Sequence, residues 1–281
     1  MARRRLADER TSRLAIWARR CALFSLAATV LAIAIVRSGL LEIVPALATF
    51  AGSLLFAVFA IVLALGALVV IWKDGIDGAG HAFAALAISI ALLAYPGYLG
   101  VRAYRLPMIN DVTTDPVDPP RFDVVARLRP RGTVEYAGLY AAEQQRIAYP
   151  DIEPLRVSVT PQIAYEETMK VIAKRKWRPL VDRAPQPGRR DGQIELVART
   201  AIMGFRDDVA IRIRVDPEGA RIDVRSASRY GRHDFGANAS RIRGLLEDID
   251  DLINLRTEQQ DRRERRAAKP APNKAAQPAK R

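Results

Sequence analysis

The sequence predicts three N-terminal transmembrane helices followed by an α+β domain. That domain is expected to be an antiparallel sheet of about four to five strands with two helices packed on one face. Three observations support this. The long apolar runs of the 281-residue chain lie before residue 105. From Leu155 onward, strand-like alternation and helix-like spacing take turns. Within that part, 208–228 reads as a hairpin, and the apolar spacing after it marks a last helix.

The first span is CALFSLAATVLAIAIV, Cys21 to Val36, between Arg20 and Arg37. It is short for a hydrocarbon core of ~30 Å. Trp17 at an interface and a snorkelling Arg37 extend it to Leu41. The second span, Pro45 to Trp72, carries no charge. The third, Ala82 to Tyr104, contains Pro96, which should kink or end it. Gly52, Ser53, Gly66 and the alanines allow close helix packing. With no charge in the cores of spans two and three, the spans read as a plain anchor in the lipid bilayer.

The net charge of +13 sits at the ends. Residues 1–20 hold seven Arg against Asp8 and Glu9, and residues 256–281 hold nine Lys/Arg against three acids. The middle is near neutral, so no nucleic-acid face is expected. Counting Lys73 with the first tail sets eight cations against Arg37, Arg102 and Arg105. The N-terminus is therefore expected in the cytoplasm and the polar domain across the inner (plasma) membrane, which in a Gram-negative bacterium is the periplasm; a first span that does not insert would leave the domain in the cytoplasm. The division expected is a basic cytoplasmic tail at 1–20, an anchor at 21–104, a periplasmic domain at 105–255 and a disordered basic tail at 256–281. Cys21, the one cysteine, excludes an internal disulfide and a cysteine nucleophile in the polar domain. No metal-ligand spacing and no phosphate-binding glycine loop is present, so no metal and no cofactor is expected.

Residues 106–121, LPMINDVTTDPVDPPR, read as an extended linker because four prolines forbid a helix. Residues 122–154 are ambiguous, with AGLYAAEQQRIAYP briefly helical. LRVSVT follows as a strand. Thr160 then caps a helix with Pro161 in its first turn, whose buried stripe is expected at Ile163, Met169 (or Glu166), Ile172 and Ala173. WRPLVDR and QIELVARTAIM are strands. In the hairpin, Val209, Ile211, Ile213 and Val215 share a face, as do Ile222, Val224, Ser226 and Ser228. Their coincidence sets Arg212 against Asp223 on the outer face, a pair worth under ~1 kcal/mol if solvated. The last helix starts near Asp234 and breaks down in RTEQQDRRERR.

Between the last strand and that helix lies RSASRYGRHDFGANASRIR, 225–243. In a structural reading, Asp234 is the N-cap. Gly231 and Gly236 permit special backbone geometry or close approach. Asn238 is buried and bonded to Ser226, Ser228 or the strand end. In a functional reading, Arg225, Ser226, Ser228, Arg229, Asp234 and Asn238 form an anion or ligand site, with Arg232 beside it. A Ser-His-Asp enzyme built on Ser226, Ser228, His233 and Asp234 ranks third, because adjacent His233 and Asp234 do not easily pair. The structural reading ranks first.

This stretch, with NDVTTDPVDPPRF, QQRIAYPDIEPL and GFRDDVAIRIR, resembles a widespread bacterial family of unknown function with plant plastid relatives. Its members are membrane-anchored or exported. The resemblance covers about residues 106–250. The family motif R-S-x-S-R-x-G-x-x-D-x-G-x-N is matched by Arg225, Ser226, Ser228, Arg229, Gly231, Asp234, Gly236 and Asn238. His233 stands where the family often has Ser, which weakens a catalytic histidine. The resemblance implies no activity, but it implies that residues 110–120 belong to the domain. The functional expectation is a non-enzymatic envelope protein binding a partner protein or small anionic ligand. The alternative is a hydrolase-like enzyme or anion-binding protein using Arg225, Arg229 and Asp234.

Overall fold

The computed structural model describes residues 10–39, 43–129, 138–186, 188 and 190–267. Expectations for the first residues of the N-terminal tail, for Leu41 and for the end of the C-terminal tail lie outside these. The chain forms two compact units. One comprises Met1–Met108, Arg199–Asp207 and Arg229–Gly236; the other comprises Ile109–Ala198, Asp208–Ser228 and Ala237–Arg281.

The first unit contains three long apolar helices: α1 (Arg13–Ser38), α2 (Ile43–Asp74) and α3 (Ala79–Arg105). Each is long and apolar enough to cross a membrane. The short first span is answered at its N-terminal side. The apolar run is embedded in a helix of 26 residues, capped by the Ser12 hydroxyl on the Ala15 amide, and so about 39 Å long. Pro96 lies inside α3 and does not end it. The seams are built of alanine: Ala15, Ala18 and Ala22 of α1, Ala60, Ala64 and Ala67 of α2, and Ala82 and Ala85 of α3. Small side chains let backbones approach, and that contact drives helix association in lipid. Gly52 and Gly66, expected at these seams, face open space instead. Ser53 does lie in a seam, where its hydroxyl is 2.9 Å from Thr29 and its carbonyl accepts from Ser25 at 2.6 Å. Arg37 donates to the carbonyls of Ala201 and Ile202 at 2.7 and 2.9 Å.

The second unit is an α+β domain with a six-stranded sheet, one or two strands more than expected. Its elements are β1 (Asp111–Thr113), a 3-10 helix (Val125–Leu128), α4 (Leu139–Ala148), β2 (Leu155–Val157), α5 (Pro161–Lys174), β3 (Pro179–Arg183), β4 (Gly192–Arg199), β5 (Arg206–Asp216), β6 (Gly219–Ser228) and α6 (Ala237–Ala267). The strand order is β1-β6-β5-β4-β3, and β2 also pairs with β6. β1 takes the 225–227 end of β6 and β2 the 220–222 end, both antiparallel. Gly219 is required here, because a Cβ would collide with the Val157 and Val159 backbones of the neighbouring segment.

The supposed linker therefore contains the first strand, Asp111–Thr113, and so belongs to the domain, as the resemblance implied. Its prolines flank β1 rather than interrupt it, Pro107 before and Pro116, Pro119 and Pro120 after, leaving Asp111–Thr113 free to pair. α5 and α6 pack on β6 and on each other. Ile194, Leu196, Ile211, Ile213 and Ile222 of the sheet and Ile242, Leu245 and Ile249 of α6 are fully buried, each side chain worth about 1.5–3 kcal/mol.

Three details differ from expectation. The buried face of α5 is Ala164, Glu167, Thr168, Val171 and Ile172. Of the expected residues only Ile172 is buried. Glu167 is accommodated because Lys170 and Arg256 bind its carboxylate at 2.8 and 2.6 Å. Val215 is 71% exposed, beyond the reach of the core. α6 does not break down at 256 but continues to Ala267, with Arg256 tying its second half to α5.

Candidate functional site

β6 delivers Ser226 and Ser228 to the inner face of its last turn of pleat, and the first turn of α6 delivers Asn238 to the same place. All three are buried. The Asn238 carbonyl oxygen accepts from Ser226 Oγ at 2.8 Å and from Arg241 at 2.7 Å. Its amide nitrogen donates to the Asn110 carbonyl at 3.0 Å and to Ser228 Oγ at 3.1 Å. Asn110 in turn accepts from the Ser228 amide at 2.8 Å. One side chain thus joins the segment before β1, the end of β6 and the start of α6, and every polar atom it buries is satisfied. Sequence reasoning foresaw the serines as partners but not Asn110 or Arg241.

Arg225 occupies the other face of β6. Its guanidinium binds Asp111 at 2.7 and 3.0 Å, reaches the Pro120 carbonyl at 3.3 Å and lies 4.5 Å from the Phe122 ring centre. The register explains the pairing, because Asp111 faces Ala227 and Thr113 faces Arg225 across the β1–β6 ladder. Diagonal neighbours of this kind suit long side chains. Burial raises the pKa of Asp111, against the pull of the Arg225 hydrogen bond and charge. Arg129 stacks on Phe122 at 5.1 Å and binds the buried Asp208 at 2.7 Å.

The rest of the motif belongs to the unit of the long helices. Arg229 and Asp234 are buried, and the Arg229 amide donates to the Arg206 carbonyl. Arg232 is exposed. The helix begins at Ala237, three residues later than expected. The Asp234 carboxylate accepts from the Gly236 amide at 2.8 Å, two residues on, forming a turn ahead of the helix. Gly231 and Gly236 both have positive φ, +81° and +75°. Gly236 also meets Arg102 where a Cβ would stand. His233 accepts from the Phe235 amide through Nδ1 at 2.9 Å, and its Nε2 faces the Ala103 carbonyl at 3.3 Å. Both ring nitrogens are thus engaged by backbone, while the Ser226 hydroxyl is spent on Asn238. That is a poor start for a serine nucleophile and its base.

Two polar clusters lie outside the sequence expectations, and a third extends an expected pair. Glu195, fully buried on β4, accepts from the amides of Asp123, Val124 and Val125 at 3.1, 2.9 and 3.0 Å. The signal was a carboxylate inside the apolar run IELVA. Gln145 of α4 caps the free edge of β1, accepting from the Thr113 amide at 2.9 Å and donating to its carbonyl at 2.6 Å. Arg212, Arg214 and Arg221 share the buried Asp223, with Asp115 and Asp118 beside them. The expected Arg212–Asp223 pair is present. It is a partly buried network rather than a solvated pair, and breaking one partner leaves uncompensated charge.

A cleft of about 350 Å³ opens over Ala210 and Ile211 of β5, walled by Arg121, Asp123, Arg183 and Arg190. Among the described residues no cluster of His, Cys, Asp or Glu is arranged to hold a metal ion.

No curated protein and no solved structure matches the chain. Residues 111–249, from β1 into α6, match the model of a family described as "Protein of unknown function (DUF1499)". The α+β domain is therefore similar to an uncharacterised domain family, and the three apolar helices precede the matched region.

Proposed function

We propose that this is a multi-pass protein of a bacterial inner (plasma) membrane whose α+β domain lies on the periplasmic side and binds a partner or small ligand without catalysis. Eight cations on one side of the apolar helices against three on the other favour a cytoplasmic N-terminus. Three spans then carry the domain across. The observation that speaks most for binding over catalysis is the Arg225–Asp111 pair. The motif arginine best placed to hold an anion is committed to an internal carboxylate, an aromatic ring and a carbonyl. On this reading Arg225, Ser226, Ser228 and Asn238 are scaffold. A hydrolase or anion site at Arg225, Arg229 and Asp234 would first have to displace Asp111.

C-terminal fusions to a reporter active only in the periplasm, and to one active only in the cytoplasm, test the location. Activity of the periplasmic reporter alone is expected. Activity of the cytoplasmic reporter alone contradicts the reading.

A further inference from the structure

We propose that the cleft between the β3–β4 turn and residues 120–123 binds a small phosphate-bearing molecule. This rests on reading the domain as a binding module and names the site and its ligand class. Many arginines of this domain are matched, although exposed ones away from the cleft, such as Arg127 and Arg178, have no partner among the described residues. Arg225 is held by Asp111, Arg129 by Asp208, Arg175 by Asp248, Arg243 by Asp151 and Arg256 by Glu166 and Glu167. What sets the cleft apart is that three little-used arginines line one concavity. Among the described residues, Arg121 and Arg190 make no side-chain hydrogen bond or ion pair, and Arg183 makes one bond, 3.2 Å, to the neutral Gln193 side chain. Three guanidinium groups with most of their donors unused converge on one concavity. That fork geometry suits phosphate oxygens, which accept paired N–H groups.

The walls are set before any ligand arrives. Gln186 and Arg190 exchange backbone hydrogen bonds at 3.0 and 3.1 Å, closing the turn that carries Arg190. The Gln193 amide bridges Asp123 and Glu195 at 3.0 and 3.1 Å. Glu195 holds the backbone of Asp123, two residues after Arg121. Such preorganisation lowers the ordering cost of binding. The volume of about 350 Å³ falls at the small end of ligand sites, larger than a bare phosphate needs. Asp123 and Asp191 on the rim accept from hydroxyl groups and disfavour a dense polyanion. The fitting ligand is therefore a phosphoester with a hydroxylated remainder, such as a glycerophosphate group, whether free or as a lipid headgroup.

The test is calorimetry on the purified full chain in neutral detergent. Three probes are titrated: sn-glycerol 3-phosphate, inorganic phosphate, and short-chain phosphatidylglycerol against phosphatidylcholine. Saturable binding is expected for glycerol phosphate or for phosphatidylglycerol, and the arm that responds identifies the source. The Arg183→Ala/Arg190→Ala double variant should weaken it at least tenfold, and Arg121→Ala should weaken it independently. Arg178→Ala, an exposed arginine off the cleft, should leave it unchanged. All four positions are solvent-facing, so melting temperatures should be preserved. Binding indifferent to these variants, or no saturable binding of any probe, overturns the proposal. The reporter fusions judge location separately, so a failed cleft and a failed membrane topology give different results.

Discussion

The carboxylate of the fully buried Glu195 lies 2.9 Å from the amide nitrogen of Val124. With the neighbouring amides of Asp123 and Val125 it ends the segment after β1 on a central strand. A buried carboxylate is tolerated there because three N–H groups replace its hydration. Glu195→Gln replaces one acceptor oxygen by a donor facing amide N–H groups. The expected loss is about 2–3 kcal/mol, with faster hydrogen exchange at Asp123, Val124 and Val125. Unchanged protection of those three amides contradicts this role.

Asn238 holds the junction from within. Asn238→Ala removes the partner of the Ser228 hydroxyl and of one lone pair of the Asn110 carbonyl, and takes a shared acceptor from Ser226 and Arg241, which keep their mutual bond at 2.7 Å. At about 1–3 kcal/mol for each buried group left unsatisfied, partly relieved by relaxation, the domain should lose roughly 3 kcal/mol in chemical denaturation. Asn238→Asp keeps the acceptor but sets a second oxygen against the Asn110 carbonyl, so it should not rescue. A stability loss under about 0.5 kcal/mol for Asn238→Ala would remove the network from the account.

Acid should act on this domain with two opposite signs. In Glu167 burial pushes the pKa up, but the Lys170 and Arg256 bonds outweigh it and the net shift is down. In Asp115 burial is likewise outweighed, by the Asp118 amide and Arg221. Their folded values lie below the unfolded ones. The stability they contribute is therefore complete above the ordinary carboxylate range and is lost as pH falls through the lowered values. Asp111 is shifted up by burial. Its contribution is complete below the ordinary Asp value and is lost as pH rises through the raised one. Stability measured against pH should climb on leaving acid, with Asp111 flattening the climb just above the ordinary Asp value. Asp111→Asn should steepen the curve in that window, and an unchanged slope refutes the assignment.

Local rules foretold much of this architecture. The Thr160 cap with Pro161 and the inward turn of Ile211, Ile213, Ile222 and Val224 follow from spacing and cap chemistry. Of the last-helix stripe expected at Phe235, Asn238/Ala239, Ile242, Leu245/Leu246, Ile249 and Leu252/Ile253, all positions but Phe235, which precedes the helix, supply a buried residue. What spacing could not show was set by partners far along the chain. Prolines made 106–121 look like a linker, yet β1 needs only three pairing residues and finds β6 more than a hundred positions away. The face of α5 was misjudged because Glu167 counts as polar in any pattern, while Arg256 makes its burial tolerable. Glu195 and Gln145 are buried for the same reason. Their partners are backbone groups, which no side-chain pattern reveals. At the junction, the buried Asn and its serines could be inferred from hydrogen-bond need alone. The acid that holds Arg225 could not, because it lies across the β1–β6 ladder.

The central claim is that the motif arginine supports the fold, and a double-mutant cycle between Arg225 and Asp111 tests it most directly. Unfolding of the full chain in detergent would be followed for Arg225→Ala, Asp111→Ala and the double variant. Arg225→Ala leaves Asp111, 4% exposed, without its counter-ion and should cost about 3–5 kcal/mol. The double variant should cost clearly less than the two singles together, giving a coupling above about 1 kcal/mol. Full stability of Arg225→Ala, with additive single effects, would contradict the account and return Arg225 to the list of groups available to a ligand.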